Sequence, residues 1–485
     1  FRFIPLLLLA CIESNEALQL QKSALQTVFN HIHHQPPPPP VRSPFNQKDV
    51  KTGWFTSNID HFNHDDHRTF QMRYLFNDEF FVSGGPLFIF IGGEWPVTPE
   101  YIIGGHMYDM ARNHSGLLVY PEHRYYGQSR PTSDMSYENL EYLGIDQALA
   151  DLANFIKWIK ENTPGLDQSK VILTGASYAG TVAVWMRQKY EDLIIGSWAS
   201  SAPLLAKVDF SEYKEVAGNG FKTIGNQYCY DRIDQAFTEM EILVKNGNSS
   251  QIEAEFDLCA PLDSTNKLDI WTFFSTVSNG LTSIVQYHVP GMIETVCDVM
   301  TSDKYPNSIT ALAVFTKAIY GPGCLEARYE LTKEFYKNIT WENPNDMYRQ
   351  WTYQTCMELG FFQTSTSPFQ PFGTQTPLEL YLQLCKDVFS ESLTKEVIYR
   401  NIETTNENHL GLKPGVTNVF YTHGEVDPYS AIGMKEIQSE STPVIIIPEY
   451  GHCTDLNSLS DDDPPAMKEA KMKIWSLVEQ WLRDS

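Results

Sequence analysis

Positive charge is what this chain has least of. Lys and Arg number 36 against 60 Asp and Glu, giving a formal net charge of −24 and a pI of about 4.9. Such a balance repels phosphate backbones and anionic headgroups, which excludes nucleic acid and acidic membrane as partners. The chain has no apolar run long enough to cross a bilayer, so stable membrane insertion is not expected. Its eight cysteines include no Cys-x-x-Cys pair, which removes the usual spacing of zinc and dithiol redox sites. No internal repeat is visible. What remains is a globular composition, 42% hydrophobic and 13% aromatic over 485 residues. That is enough for one large α/β domain with an insertion, or for two or three ordinary domains.

The N-terminus points to a compartment. Phe1 to Cys11 is a basic residue followed by an apolar run too short to span a membrane, the pattern of a signal-peptide core. Residues 1–15 are expected to be a partial signal peptide. Residues 16–50 are expected to be a leader, ending near the stiff run Pro36–Pro40. A secreted or lysosomal or endosomal lumenal protein follows. Six cysteines (Cys229, Cys259, Cys297, Cys324, Cys356, Cys385) crowd one central stretch and suit up to three disulfides in an oxidising compartment. Their fifteen pairings stay open. Asn113, Asn248 and Asn338 each open an Asn-x-Ser/Thr glycosylation triplet.

Short apolar runs alternate with helical patterns up to about residue 204. Pro86–Ile91 and Gly116–Tyr120 have the length of buried strands, and Ile145 to Ile159 carries apolar residues at helical spacing. Strands are also expected at 69–76 and 194–199. This rhythm predicts a parallel sheet with right-handed crossovers. From about 205 to 410 it gives way to helical patterns and the cysteine cluster. It returns at 416–422 and 443–447, before a closing amphipathic helix. The expected organisation is a sheet domain, 51–204 with 411–485, interrupted by a helical, disulfide-containing cap, 205–410.

The chemistry centres on Val171 to Gly180. A buried-strand run breaks at Gly175, presents Ser177, and passes directly into helix-forming residues. That is the setting of a nucleophile elbow, where small neighbours such as Gly175 and Ala179 let strand and helix backbones nearly touch. A serine nucleophile needs a base and an acid to orient it, in the chain order Ser, acid, His, each just past a strand. Asp427 and His452 match that order. His423 is a rival base, and Glu425 and Asp455 are rival acids. Oxyanion donors are expected from the backbone of Tyr178 and of Gly93 or Glu94. His61, His64, Asp65, Asp66 and His67 have metal-like composition but are expected to form a polar surface loop, and no metal site is assigned.

Several blocks in order resemble the S28 serine carboxypeptidase family. They are Asp60-His61-Phe62-Asn63, Gly92-Gly93-Glu94, Glu122 to Gly127, Gln147 to Asp151, Gly175 to Gly180, Trp351 to Cys356, Gly424 to Pro428 and Gly451-His452-Cys453. The resemblance implies an α/β-hydrolase fold with a helical cap, no cofactor, a Ser177, Asp427, His452 triad, and exopeptidase action beside proline in acidic vesicles. Prolyl branches usually follow the catalytic His with a second His and an Arg shortly beyond; here Cys453 and Asn457 stand at those places. Trp95 stands where a small residue is usual and Tyr429 where a Trp is usual. With Glu94, those two are expected to contact substrate. The function expected is a serine exopeptidase acting on peptides, carboxypeptidase or dipeptidyl-peptidase, with a homodimer as an admissible assembly. The competing readings are an esterase or lipase of the same fold and a non-catalytic binding protein.

Overall fold

Where the sequence shows apolar runs bounded by glycine, the chain forms a sheet buried on both faces. The computed structural model describes residues 38–39, 50–342 and 347–484. The expected signal peptide and nearly all of the leader lie outside the described residues. The strands are β1 (Val50–Asn58), β2 (Thr69–Asn77), β3 (Leu87–Phe90), β4 (Leu117–Pro121), β5 (Val171–Ala176), β6 (Gly196–Ser200), β7 (Lys207–Asp209), β8 (Gly360–Phe362), β9 (Val419–Gly424) and β10 (Val444–Ile447). Eight of them form one sheet in the order β1-β2-β4-β3-β5-β6-β9-β10. β1–β2 and β2–β4 pair antiparallel, and every later pair is parallel. With helices on both faces, this is the α/β-hydrolase architecture.

Period-2 alternation sends successive residues of each strand to opposite cores. Leu87, Ile89, Val171 and Leu173 pack with the helices Ile145–Asn162 and Tyr178–Lys189. Phe88, Phe90, Leu118, Ile172, Trp198 and Phe420 pack against Gly105–Asn113 and Pro465–Asp484. Three details depart from expectation. β1 carries no apolar alternation, because this edge strand exposes much of its length, and its pairing with β2 is what identifies it. β9 starts at Val419 instead of 416, because Asn418 turns the chain with φ +55° and donates from Nδ2 to the Ile195 carbonyl at 3.0 Å. β7 and β8, three residues each, pair within the otherwise helical central stretch.

Between β6 and β9 the helices enclose a core of their own, with Phe221, Ile233, Phe237, Phe273 and Ile284 among its members. Val426, one residue before Asp427, is the residue from the returning sheet segment that enters this core. The disulfides are Cys229–Cys297, Cys259–Cys324 and Cys356–Cys385, which selects one of the pairings the sequence leaves open.

A buried ion pair ties the N-terminal hairpin to the sheet. Arg124 donates to Asp151 from Nε at 2.6 Å and Nη2 at 2.8 Å, and to the carbonyls of Ile59 and Tyr142 at 2.9 and 2.8 Å. Asp151 also meets His61 Nε2 at 2.7 Å and accepts from Ser57 Oγ at 2.5 Å. His61 therefore leaves its surface loop for a structural network, while His64, Asp65 and His67 stay exposed. Burial alone would raise the Asp151 carboxyl, but Arg124 and His61 together outweigh it and hold the pKa at about 2. The stability this carboxylate contributes is complete above its unfolded value of 3.8 and is lost only as pH falls through about 2. Asp151→Asn strands the guanidinium in a dry site. It is expected to lower unfolding free energy by about 3–5 kcal/mol, measured by chemical denaturation.

Candidate active site

β5 delivers Ser177 in a conformation few residues adopt, φ +57° and ψ −130°. Such a backbone persists only where its surroundings over-determine it. An ideal Cβ on Gly175 would sit 2.1 Å from the Ala179 carbonyl oxygen, so the strand and helix touch at that glycine. Gly180 is nearly as tight, with the Gly175 and Ser200 carbonyl oxygens each 3.0 Å from a Cβ built there. The Ser177 N–H donates to the Ser200 carbonyl at 2.9 Å. Tyr178 then opens the helix, where an N–H has no carbonyl one turn back to bond.

Asp427 lies three residues past β9 and is fully buried. Its Oδ1 accepts from the Tyr429 N–H and its Oδ2 meets His452 Nδ1, both at 2.9 Å. The two loops interlock. A Cβ on Gly424 would fall 2.1 Å from the Tyr450 carbonyl oxygen, and the Val426 N–H donates to that carbonyl at 3.2 Å. The helix Lys267–Gln286 and the turn after it hold the histidine loop from the other side. The His452 N–H donates to the Gln286 carbonyl at 2.6 Å and the Gly451 N–H to that of His288 at 2.9 Å. Cys453, next in sequence, donates its N–H to Ser201 Oγ at 2.9 Å and places its sulfur 3.9 Å from the Ser200 carbonyl oxygen. One strand-end carbonyl thus contacts both the Ser177 segment and the His452 segment.

His452 is buried, and its Nε2 has no hydrogen-bond partner among the described residues. Burial disfavours the imidazolium, but the Asp427 carboxylate and the adjacent Cys453 together offset it and raise the pKa well above the ordinary histidine value. The rivals face elsewhere. Burial pushes His423 down to about 4, and its ring packs on Gly433. Glu425 is exposed and accepts from the Glu449 N–H at 3.1 Å. Asp455 is taken up by Ser200 Oγ at 2.5 Å and Trp198 Nε1 at 3.2 Å.

The Gly92-Gly93-Glu94 turn follows β3. A Cβ on Gly93 would lie 2.5 Å from the Trp95 ring, so glycine lets the indole lie directly against the turn. Trp95 is fully buried and donates from Nε1 to Tyr120 Oη at 2.6 Å, which makes it a support for the turn with no face open to solvent. The Glu94 carboxyl is buried, its Oε2 is unpartnered, and desolvation pushes it up to about 8. Tyr429 stands with its ring centroid 5.3 Å from that of His452 and lines a cavity of about 190 Å³. Tyr336, Tyr348, Trp351, Phe361 and Tyr381 line it too, and no charged side chain does. Asn113, Asn248 and Asn338 are all exposed. Tyr336, Tyr348 and Tyr381, and the carbonyls that hold the histidine loop, were not identified from sequence, since no local pattern marks them; Trp351 stood in one of the resembling blocks without a role.

The serine carboxypeptidase S28 family profile matches residues 57–474. The chain is 30% identical over 452 residues to the thymus-specific serine protease of Mus musculus, covering 90% of this chain and 88% of that one. It is 26% identical over 467 residues to the lysosomal Pro-X carboxypeptidase of Homo sapiens, covering 92% and 91%. Among solved structures, a proline iminopeptidase from Mycobacterium smegmatis aligns over 89% of this chain and all of its own, with a TM-score of 0.38 at 12% identity.

Gly175→Ala is expected to push the elbow helix off its strand. It should lower stability by about 1–3 kcal/mol in thermal or chemical unfolding, with a larger loss of serine reactivity than the unfolded fraction explains.

Proposed function

This chain belongs to the serine carboxypeptidase S28 family and is a serine peptidase, and from that premise we propose a lumenal exopeptidase that cuts beside proline using Ser177, His452 and Asp427. The observation that carries the reading is the state of His452. Its Nδ1 is committed to Asp427 at 2.9 Å, while Nε2 is left buried and unpartnered on a loop sharing the Ser200 carbonyl with Ser177. A base needs Nδ1 held by a carboxylate and Nε2 available to the serine hydroxyl; Ser177 Oγ does not hydrogen-bond that nitrogen in this structure, and the proposed reaction closes that contact.

In the proposed cycle His452 Nε2 takes the Ser177 Oγ proton as the oxygen attacks the scissile carbonyl carbon. The tetrahedral oxyanion is received by the Tyr178 N–H and by that of Gly93 or Glu94. The imidazolium, steadied by Asp427, gives its proton to the leaving amine as the C–N bond breaks. Water, deprotonated by the same nitrogen, then attacks the acyl-serine and releases the acid. Glu94, Tyr429 and the uncharged aromatic cavity are assigned to substrate, since a pyrrolidine ring offers apolar faces and no charge. Trp95, buried beneath the turn, serves by shaping it. The helical stretch 205–410 acts as a cap that admits chain ends, and the exposed Asn113, Asn248 and Asn338 triplets are assigned as glycan acceptors.

Asp427→Asn is expected to lower kcat/KM by about 10⁴-fold. Neutral imidazole is the active form and Asp427 raises its pKa, so removing the carboxylate should also move the acid limb of the pH profile to lower pH. Both effects are read from kcat/KM against pH. The function itself is tested by a peptide library digested from roughly pH 5 to pH 8 and analysed by mass spectrometry. Trimming from one terminus beside proline supports the reading. Internal cleavage, or turnover by Ser177→Ala, overturns it.

A further inference from the structure

The helix Tyr348–Gln354 lies between β6 and β9 in sequence, yet its last residue reaches the Ser177 elbow. Gln354 is fully buried, and its amide bridges two tyrosines. Oε1 accepts the Tyr126 O–H at 2.5 Å, and Nε2 donates to Tyr178 Oη at 3.0 Å. The Tyr178 hydroxyl lies 3.2 Å from His123 Nε2, and His123 Nδ1 lies 2.8 Å from the Arg124 carbonyl oxygen. A carbonyl can only accept, so Nδ1 carries the ring proton and Nε2 is the acceptor. Burial pulls His123 down to about 4, which keeps it neutral above that pH.

Every proton in this chain therefore has one direction, from Tyr126 to Gln354, from Gln354 to Tyr178, from Tyr178 to His123, and from His123 to the Arg124 carbonyl. Turning the amide over breaks it. Tyr178 would then have to donate to Oε1, leaving His123 Nε2 without a donor, while Nε2 of the glutamine faced Tyr126 and left that hydroxyl proton no acceptor. His123, Tyr126 and Tyr178 are buried like Gln354, so water cannot replace a missing partner. One turn earlier on the same helix, Trp351 packs edge-on against the Tyr178 ring with centroids 5.8 Å apart. The cap helix thus grips Tyr178 by both its ring and its hydroxyl.

We propose that Gln354 is a positioning residue for the reaction, and that by holding the Tyr178 side chain it aims the Tyr178 N–H at the developing oxyanion. This rests on the reading of Ser177 as nucleophile and Tyr178 as oxyanion donor. The physical need lies in the elbow. Ser177 holds a positive φ, which persists only where the surroundings fix the residue and the one after it. The Ser200 carbonyl pins its N–H, and the hydrogen-bonded tyrosine pins the residue after it. A glutamine that only filled the core would contribute stability and nothing to the rate.

The test uses the full chain and a fluorophosphonate probe, whose attack by serine develops the same oxyanion, with saturation kinetics separating kinact from KI. Gln354→Leu and Tyr178→Phe are each expected to lower kinact on the order of 10- to 100-fold, with KI within about 3-fold. The double variant should fall no further than Tyr178→Phe, because both act through one hydroxyl. Tyr178→Phe with kinact within about 2-fold of the parent overturns the proposal. So does Gln354→Leu that lowers the thermal midpoint while the folded fraction reacts at the parent rate. If Gln354→Leu does not fold, Tyr178→Phe, which keeps the ring, decides alone. Labelling that survives in Ser177→Ala refutes the site reading itself. Labelling lost there but unchanged in Tyr178→Phe refutes only the role given to Gln354.

Discussion

The reactive end of the molecule hangs on the carbonyl of Ser200, at the last position of β6. It accepts the Ser177 N–H at 2.9 Å, lies 3.0 Å from where a Gly180 Cβ would be, and stands 3.9 Å from the Cys453 sulfur. Two segments distant in sequence, the Ser177 elbow and the His452 loop, are referenced to one atom. A parallel sheet is suited to this, because its hydrogen-bonded strand ends are less mobile and less variable than the loops above them. The strain at Ser177 is tolerable because that frame does not yield.

Charge is arranged with the same economy. The chain as a whole carries −24, yet several buried ionic groups around the candidate site are either paired or discharged. Arg124 and Asp151 neutralise each other in a dry site, and Asp427 answers His452. The Glu94 carboxyl makes no ion pair among the described residues, and desolvation outweighs the pull of His452 and keeps it in its acid form at neutral pH. The cavity beside Tyr429 holds no charge at all. A buried site free of unpaired ions can exclude water at small energetic cost, and preorganised dipoles act most strongly there.

The elbow and the Asp427–His452 pair were legible because each rests on a local rule. Contact between strand and helix demands small residues beside the serine, read as Gly175 and Ala179, and an acid or base of this fold sits just past a strand end. The alternation of β3, β5 and β6 with helices was legible for the same reason, since burial on both faces demands continuous apolar runs. What stayed hidden depends on partners far apart in sequence. β1 is an edge strand known by its pairing, and the disulfide pattern is one of fifteen. His61 looked like a surface residue until Asp151, 90 positions later, came to meet it. Trp95 was expected to face substrate, yet it lies under the turn because Gly93 leaves room for the ring. Gln354 carries no local mark, as its role exists only once four buried groups converge.

Val426 packs into the core of the inserted helices, one residue before the carboxylate that orients His452. The backbone of His452 likewise hangs from the end of one of those helices. Both residues follow the insertion in the chain, so ribosomal order sets the order of assembly. Ser177 and its elbow emerge first, then the helical body, and last the carboxylate and imidazole that dock against it. Until that body has folded and taken in Val426, the Asp427–His452 pair lacks the frame that holds it here.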